Sequence, residues 1–161
     1  MKIVGYLLVV LMVLAIALVI AGQLGAFSGK PPQKLGVIDG KLRPPSRTPN
    51  SVSSQADLYP DHPQKDYAGI APLHYTGDGN AAMEKLANVL DKSERTVIVT
   101  REPGYIYAQS STALFKFTDD MEFWLDQPNK VIQIRSASRL GRKDFGVNRA
   151  RMEALRTRFS G

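Results

Sequence analysis

The chain contains no cysteine. That excludes disulfides, thiolate zinc sites and cysteine nucleophiles, while leaving the redox compartment open. Histidine is nearly as scarce. His62 and His74 are the only two, and neither belongs to an HxxxH spacing. Asp57, Asp61 and Asp66 lie near His62 without forming a ligand pattern, so no metal site is expected. No GxSxG elbow is present, and Asp144-Phe145-Gly146 spells a kinase tripeptide with no glycine loop or catalytic loop to accompany it. No cofactor is expected. Internal repeats and low-complexity tracts are also missing.

Charge is missing from one long stretch, Ile3 to Gly22, which is 20 apolar or small residues. As a helix this run would span the roughly 30 Å of a bilayer core. A signal peptide is the competing reading. The run is longer than a signal h-region, and Ala21-Gly22-Gln23 makes a poor cleavage site, so residues 1–22 are expected to be a single-pass anchor. Residues 23–34 read as a linker of Gly, Pro and polar residues, leaving 35–161 for one soluble domain.

Regular period is missing from Arg43 to Tyr75, which carries Pro44, Pro45, Pro49, Pro60, Pro63 and Pro72. Its scattered apolar residues predict a long loop wrapped on the core. Beyond it, apolar residues at 3 and 4 spacing predict a helix over Asn80–Lys92. Strands are predicted over Thr96–Arg101, Tyr105–Ser110, Ala113–Thr118, Met121–Leu125 and Val131–Ala137, in an antiparallel meander. Asp144 is placed to cap a last helix. Its stripe of Phe145, Asn148, Met152, Leu155 and Phe159 should be buried, apart from the polar asparagine, leaving Arg156 and Arg158 mostly exposed. The fold class is therefore α+β: an antiparallel sheet of four to five strands with two helices on one face.

Lysine and arginine number 21 against 15 acids. The net +6 comes entirely from Arg135–Gly161, which has eight basic and two acidic residues. An anionic partner is expected there. Candidate ligand-binding residues are Arg135, Ser136, Ser138, Arg139, Arg142, Lys143, Asn148 and Arg149, close to the start of the last helix. Asp119, Asp120 and Glu122 are the candidate acids. Strand alternation separates Asp119 from the other two, which weakens an acid–base dyad. The competing reading pairs Arg135 and Arg139 internally with Asp119, Asp120 or Glu122, the two aspartates being the expected partners, and leaves Arg142 and Lys143 free. Nucleic acid is not an expected partner of an anchored chain whose first 134 residues are neutral.

Four motifs carry a resemblance: LGVIDGKL from Leu35, TPNSVSSQ from Thr48, FTDDMEFWLD from Phe117 and RSASRLGRKDFGVNRARMEALRTRF from Arg135. Together they resemble domain-of-unknown-function family 1499, whose members are often membrane-anchored or exported bacterial proteins with no established activity. The resemblance implies a cysteine pair in the region of RPPSRTPNSVSSQ, where this chain has Pro44 and Ser51. Joint loss of a bonded pair points to an oxidising compartment. The body is accordingly expected outside the cytoplasm at the bacterial inner membrane. The count of Lys30, Lys34, Lys41 and Arg43 against Lys2 leans mildly the other way.

The expected function is a membrane-anchored, non-enzymatic binding module of the cell envelope. It would contact an anionic ligand, a lipid head group or a partner protein through the segment 135–151. The alternatives are an accessory subunit of a larger membrane complex, or a hydrolase using Asp119, Asp120 or Glu122.

Overall fold

The computed structural model describes residues 2–161. Helix α1, Lys2–Gln23, is long and apolar enough to cross a membrane. A left-handed Gly25 closes it: the Ala26 and Gly25 amides donate to the Ala21 and Gly22 carbonyls, a Schellman turn.

The body is α+β. The segment expected to wrap the core does so, and it adds two short strands, β1 (Ser51–Ser53) and β2 (Leu73–His74), separated by the four-residue helix α2 (Lys65–Ala68). Helix α3 (Gly79–Asp91) begins where the Asp78 carboxylate accepts the Ala81 amide. Four long strands follow: β3 (Thr96–Glu102), β4 (Tyr105–Ser111), β5 (Thr118–Asp126) and β6 (Val131–Ser138). Helix α4 (Val147–Ser160) ends the chain. The sheet order is β1-β6-β5-β4-β3, all antiparallel, with β2 also pairing to β6 beside β1.

Alternation gives the sheet two unlike faces. Ile106, Ala108, Met121, Phe123, Leu125, Ile132 and Ile134 meet Met83, Leu86 and Leu90 of α3 and Met152, Leu155 and Phe159 of α4 in the apolar core. The opposite face carries Tyr105, Tyr107, Asp120, Glu122, Trp124 and Arg135. The chain after α1 covers it, with Gly36 bonded to Glu122 and the Pro44 carbonyl to Arg135.

Three expectations fail locally. Residues 113–117 are not a strand: Lys116 turns left-handed at φ 56°, and Phe115 and Phe117 pack on Phe27 instead of alternating across a sheet. Phe145 is 91% exposed, because the chain runs left-handed through Phe145 (φ 53°) and Gly146 (φ 81°) before α4 begins. Arg156 is half-buried, because its guanidinium donates to the Ala71 and Pro72 carbonyls of the wrapping segment.

Candidate functional site

Asp119 and Asp120 fall between two strands predicted from the sequence, Ala113–Thr118 and Met121–Leu125, but lie inside β5, and all three candidate acids are buried. Each meets an arginine. Arg135 does not pair with Asp119 or Asp120 as expected: the β5–β6 register sets it opposite Glu122, 3.5 Å away. The other Glu122 oxygen accepts the Tyr105 hydroxyl and the Gly36 amide, both at 2.9 Å. Asp120 takes a two-nitrogen fork from Arg139, with Nε at 2.9 Å and Nη2 at 2.7 Å, and accepts the Tyr107 hydroxyl at 2.6 Å. Asp119 points the other way and accepts Arg151 of α4 at 2.7 Å.

Burial pushes the Arg135 guanidinium below its ordinary value, with Glu122 pulling it back. The Asp120 hydrogen bonds raise Arg139. Burial, followed by the neighbouring carboxylates, raises the Tyr105 and Tyr107 phenols.

A second network joins the TPN segment to β6 and α4. Asn148 is fully buried. Its Oδ1 accepts the Ser136 hydroxyl and Arg151, while its Nδ2 donates to the Asn50 carbonyl, Ser138 Oγ and Asp144 Oδ2. Asp144 also accepts the Gly146 and Asn148 amides and the Tyr67 hydroxyl. It therefore satisfies amides at the start of α4 from two residues before the N-cap residue, Gly146. Burial would raise its carboxyl, but these hydrogen bonds outweigh burial and hold it below the ordinary carboxylate value. Arg149 donates to the Tyr67 carbonyl.

Of the candidate ligand-binding residues, the structure engages Arg135, Ser136, Ser138, Arg139, Asn148 and Arg149 internally. Arg142 and Lys143 are exposed and form no ion pair among the described residues. Beside them, Asn50 donates to the Gly141 carbonyl and leaves its own Oδ1 unpartnered, an acceptor that would not receive an anion.

Two grooves have opposite character. One of about 770 Å³ lies between the segment after α1 and the sheet, floored by Tyr105, Tyr107 and Trp124 and edged by Gln33, Asn80 and Glu102. No cation lines it. The other, of about 640 Å³, runs between the α3–β3 turn and α4 and is lined by Lys92, Arg95, Arg151 and Arg158 against the single acid Glu94, with Ser110, Ser111 and Thr112. Sequence reasoning missed this second groove. Lys92 and Arg95 fall some 40 residues before the basic tract, and only the packing of α4 beside the α3–β3 turn brings them to Arg151 and Arg158.

Fold and site define a small α+β domain with an apolar N-terminal helix and arginine-clamped acids on both sheet faces. Residues 41–159 match the family model described as "Protein of unknown function (DUF1499)", and the chain belongs to that family. No curated protein and no solved structure matches it.

Proposed function

We propose that the protein is a membrane-anchored, non-enzymatic binding module of the cell envelope, and that its ligand is anionic. The observation that carries this is the 640 Å³ groove, where Lys92 and Arg158, neither in an ion pair among the described residues, line a concave surface beside Arg95, which pairs with Glu94, and Arg151, which pairs with Asp119. Five hydroxyl side chains line it, those of Ser93, Thr96, Ser110, Ser111 and Thr112, and supply neutral hydrogen-bonding groups for a phosphate or carboxylate. Arg151 brings the basic segment into this groove. Retention of α1 is supported by its docking: the Gln23 amide donates to the Ala113 and Leu114 carbonyls, contacts that cleavage would remove. An extracytoplasmic body is supported by Pro44 and Ser51 standing in place of the family's cysteines. Here the Ser46 amide donates to Ser51 Oγ and closes that loop without a disulfide. A hydrolytic role is disfavoured because Asp119, Asp120 and Glu122 are each buried against an arginine.

A second reading puts the anionic contact on the exposed Arg142–Lys143 tip, favoured by their lack of an internal partner. Native mass spectrometry of the full chain in detergent separates the two. Phosphatidylglycerol should be retained in preference to a zwitterionic lipid. Lys92→Ala/Arg95→Ala should abolish that preference, and Arg142→Ala/Lys143→Ala should spare it. The reverse pattern moves the contact to the tip. Equal retention of both lipids by the native chain refutes the anionic reading. Displacement of the lipid by inorganic phosphate would identify the recognised group as phosphate itself.

A further inference from the structure

We infer that the loop Thr112–Phe117, together with Leu24, Phe27 and Leu140, is a second membrane contact. It forms an apolar foot that enters the head-group layer of the bilayer crossed by α1. The inference rests on the reading of α1 as a retained anchor.

The position follows from α1. Its 22 residues make a helix of about 33 Å, so its C-terminal end lies at a membrane surface. The foot is fastened to that end. Gly22 abuts the backbone of Phe115 so closely that a Cβ there would come within 2.8 Å of its Cα. Gln23 Nε2 donates to the Ala113 carbonyl at 3.1 Å and the Leu114 carbonyl at 2.9 Å. The Schellman turn at Gly25 then brings Phe27 onto Phe117, centroids 5.5 Å apart, and edge-on to Phe115 at 6.2 Å. Leu140 lies against Gly29 in the next turn of chain.

The chemistry follows from what does not cover these side chains. None of them belongs to the apolar core. Leu24 is 82% exposed, Leu114 52%, Leu140 44% and Phe117 40%. Scattered exposed leucines need no explanation, but aromatic and aliphatic side chains gathered at one place mark a contact. Lipid is the occupant because the patch is continuous with the end of a membrane-crossing helix. Lys30 and Lys116 flank the apolar residues in sequence, as expected of cations that keep their heads in the phosphate layer while their stems lie on apolar surface.

The test uses the full chain carrying Trp124→Phe, which removes the one native indole. Leu114→Trp and Phe117→Trp are introduced separately. Each protein is reconstituted into vesicles whose acyl chains are brominated near the head-group end. Flotation of the same sample reports the anchor, and fluorescence reports the foot. The introduced indoles should emit to the blue of native Trp124 and lose at least half their intensity to bromine, while native Trp124 loses little. Leu114 is the more exposed site and serves if Phe117→Trp perturbs the loop. Vesicle-bound protein whose introduced indoles stay unquenched overturns the foot and leaves the anchor standing. Protein that fails to float overturns both. A dimer that dissociates on Leu114→Glu, with no quenching, assigns the patch to a second copy and also overturns the proposal.

Discussion

Asn148 occupies a position on α4 where spacing calls for an apolar side chain, yet its side chain bonds to five other residues. Its amide reaches Ser136, Ser138, Asn50, Asp144 and Arg151. Hydropathy alone would have leucine improve the stripe. Each buried partner left unsatisfied costs about 1–3 kcal/mol, so Asn148→Leu should destabilise by roughly 3 kcal/mol or more in urea denaturation. Asp144 has a pH signature. Its folded carboxyl lies below the ordinary value, so between the two pKa values the unfolded chain binds more protons and stability rises with pH. This contribution is complete above about pH 5 and is lost as pH falls through the depressed folded value. Melting temperatures of Asp144→Asn should be lower than those of the native chain near neutrality, with the gap narrowing as pH falls below about 4.

At the scale of elements, β5 and β6 are joined by a buried charge pair as well as by backbone. Arg135→Ala leaves the fully buried Glu122 carboxyl without its cationic partner, and should cost about 3–5 kcal/mol. Arg135→Met with Glu122→Leu should recover much of that loss, because a desolvated ion pair is replaced by apolar volume. A double-mutant cycle in urea reads the difference, and additive losses would deny the coupling. On the far side of the sheet, Met152→Ala or Leu155→Ala should cost about 2–5 kcal/mol, since both side chains lie in the core.

The periodic elements were legible: α3, α4 and the core-facing residues of β5 and β6 follow 3.6 and 2.0 spacing closely. Three features were not. Strands β1 and β2 have three and two residues, too short to carry a period, and exist only because β6 offers them an edge. Phe115 and Phe117 alternate as a strand would, but their partner is Phe27, nearly 90 residues away. Asp119-Asp120 looks like a turn because two adjacent carboxylates seldom enter a strand interior. Arg139 beyond β6 and Arg151 on α4 reach them from opposite faces and make burial tolerable. The site was legible in part for the same reason. The sequence shows the charge of the basic tract, but only tertiary packing shows which arginines find a carboxylate.

At the scale of the whole molecule, the question is whether α1 and the body move as one unit. The contact between them is small and centred on Gly22, where a Cβ would meet Phe115 Cα at 2.8 Å and its carbonyl oxygen at 2.9 Å. Those are backbone atoms, so no rotamer change can make room, and the loop or the helix must shift. Gly5, near the other end of α1, has nothing within 4 Å, which makes it the matched control. Gly22→Val should therefore lift α1 off the 112–117 loop, whereas Gly5→Val should not. The apolar core does not include any residue of α1 or of the 112–117 loop. Hydrogen exchange of the full chain in detergent should accordingly quicken at Thr112 and Phe117, whose amides are bonded within the loop, and stay unchanged through β5 and β6. Gly22→Ala should act in the same direction and more weakly, since a methyl asks for a smaller shift. Unchanged loop exchange in Gly22→Val would mean that the helix end and the loop are not mechanically joined, and that the body hangs from its anchor by the chain alone.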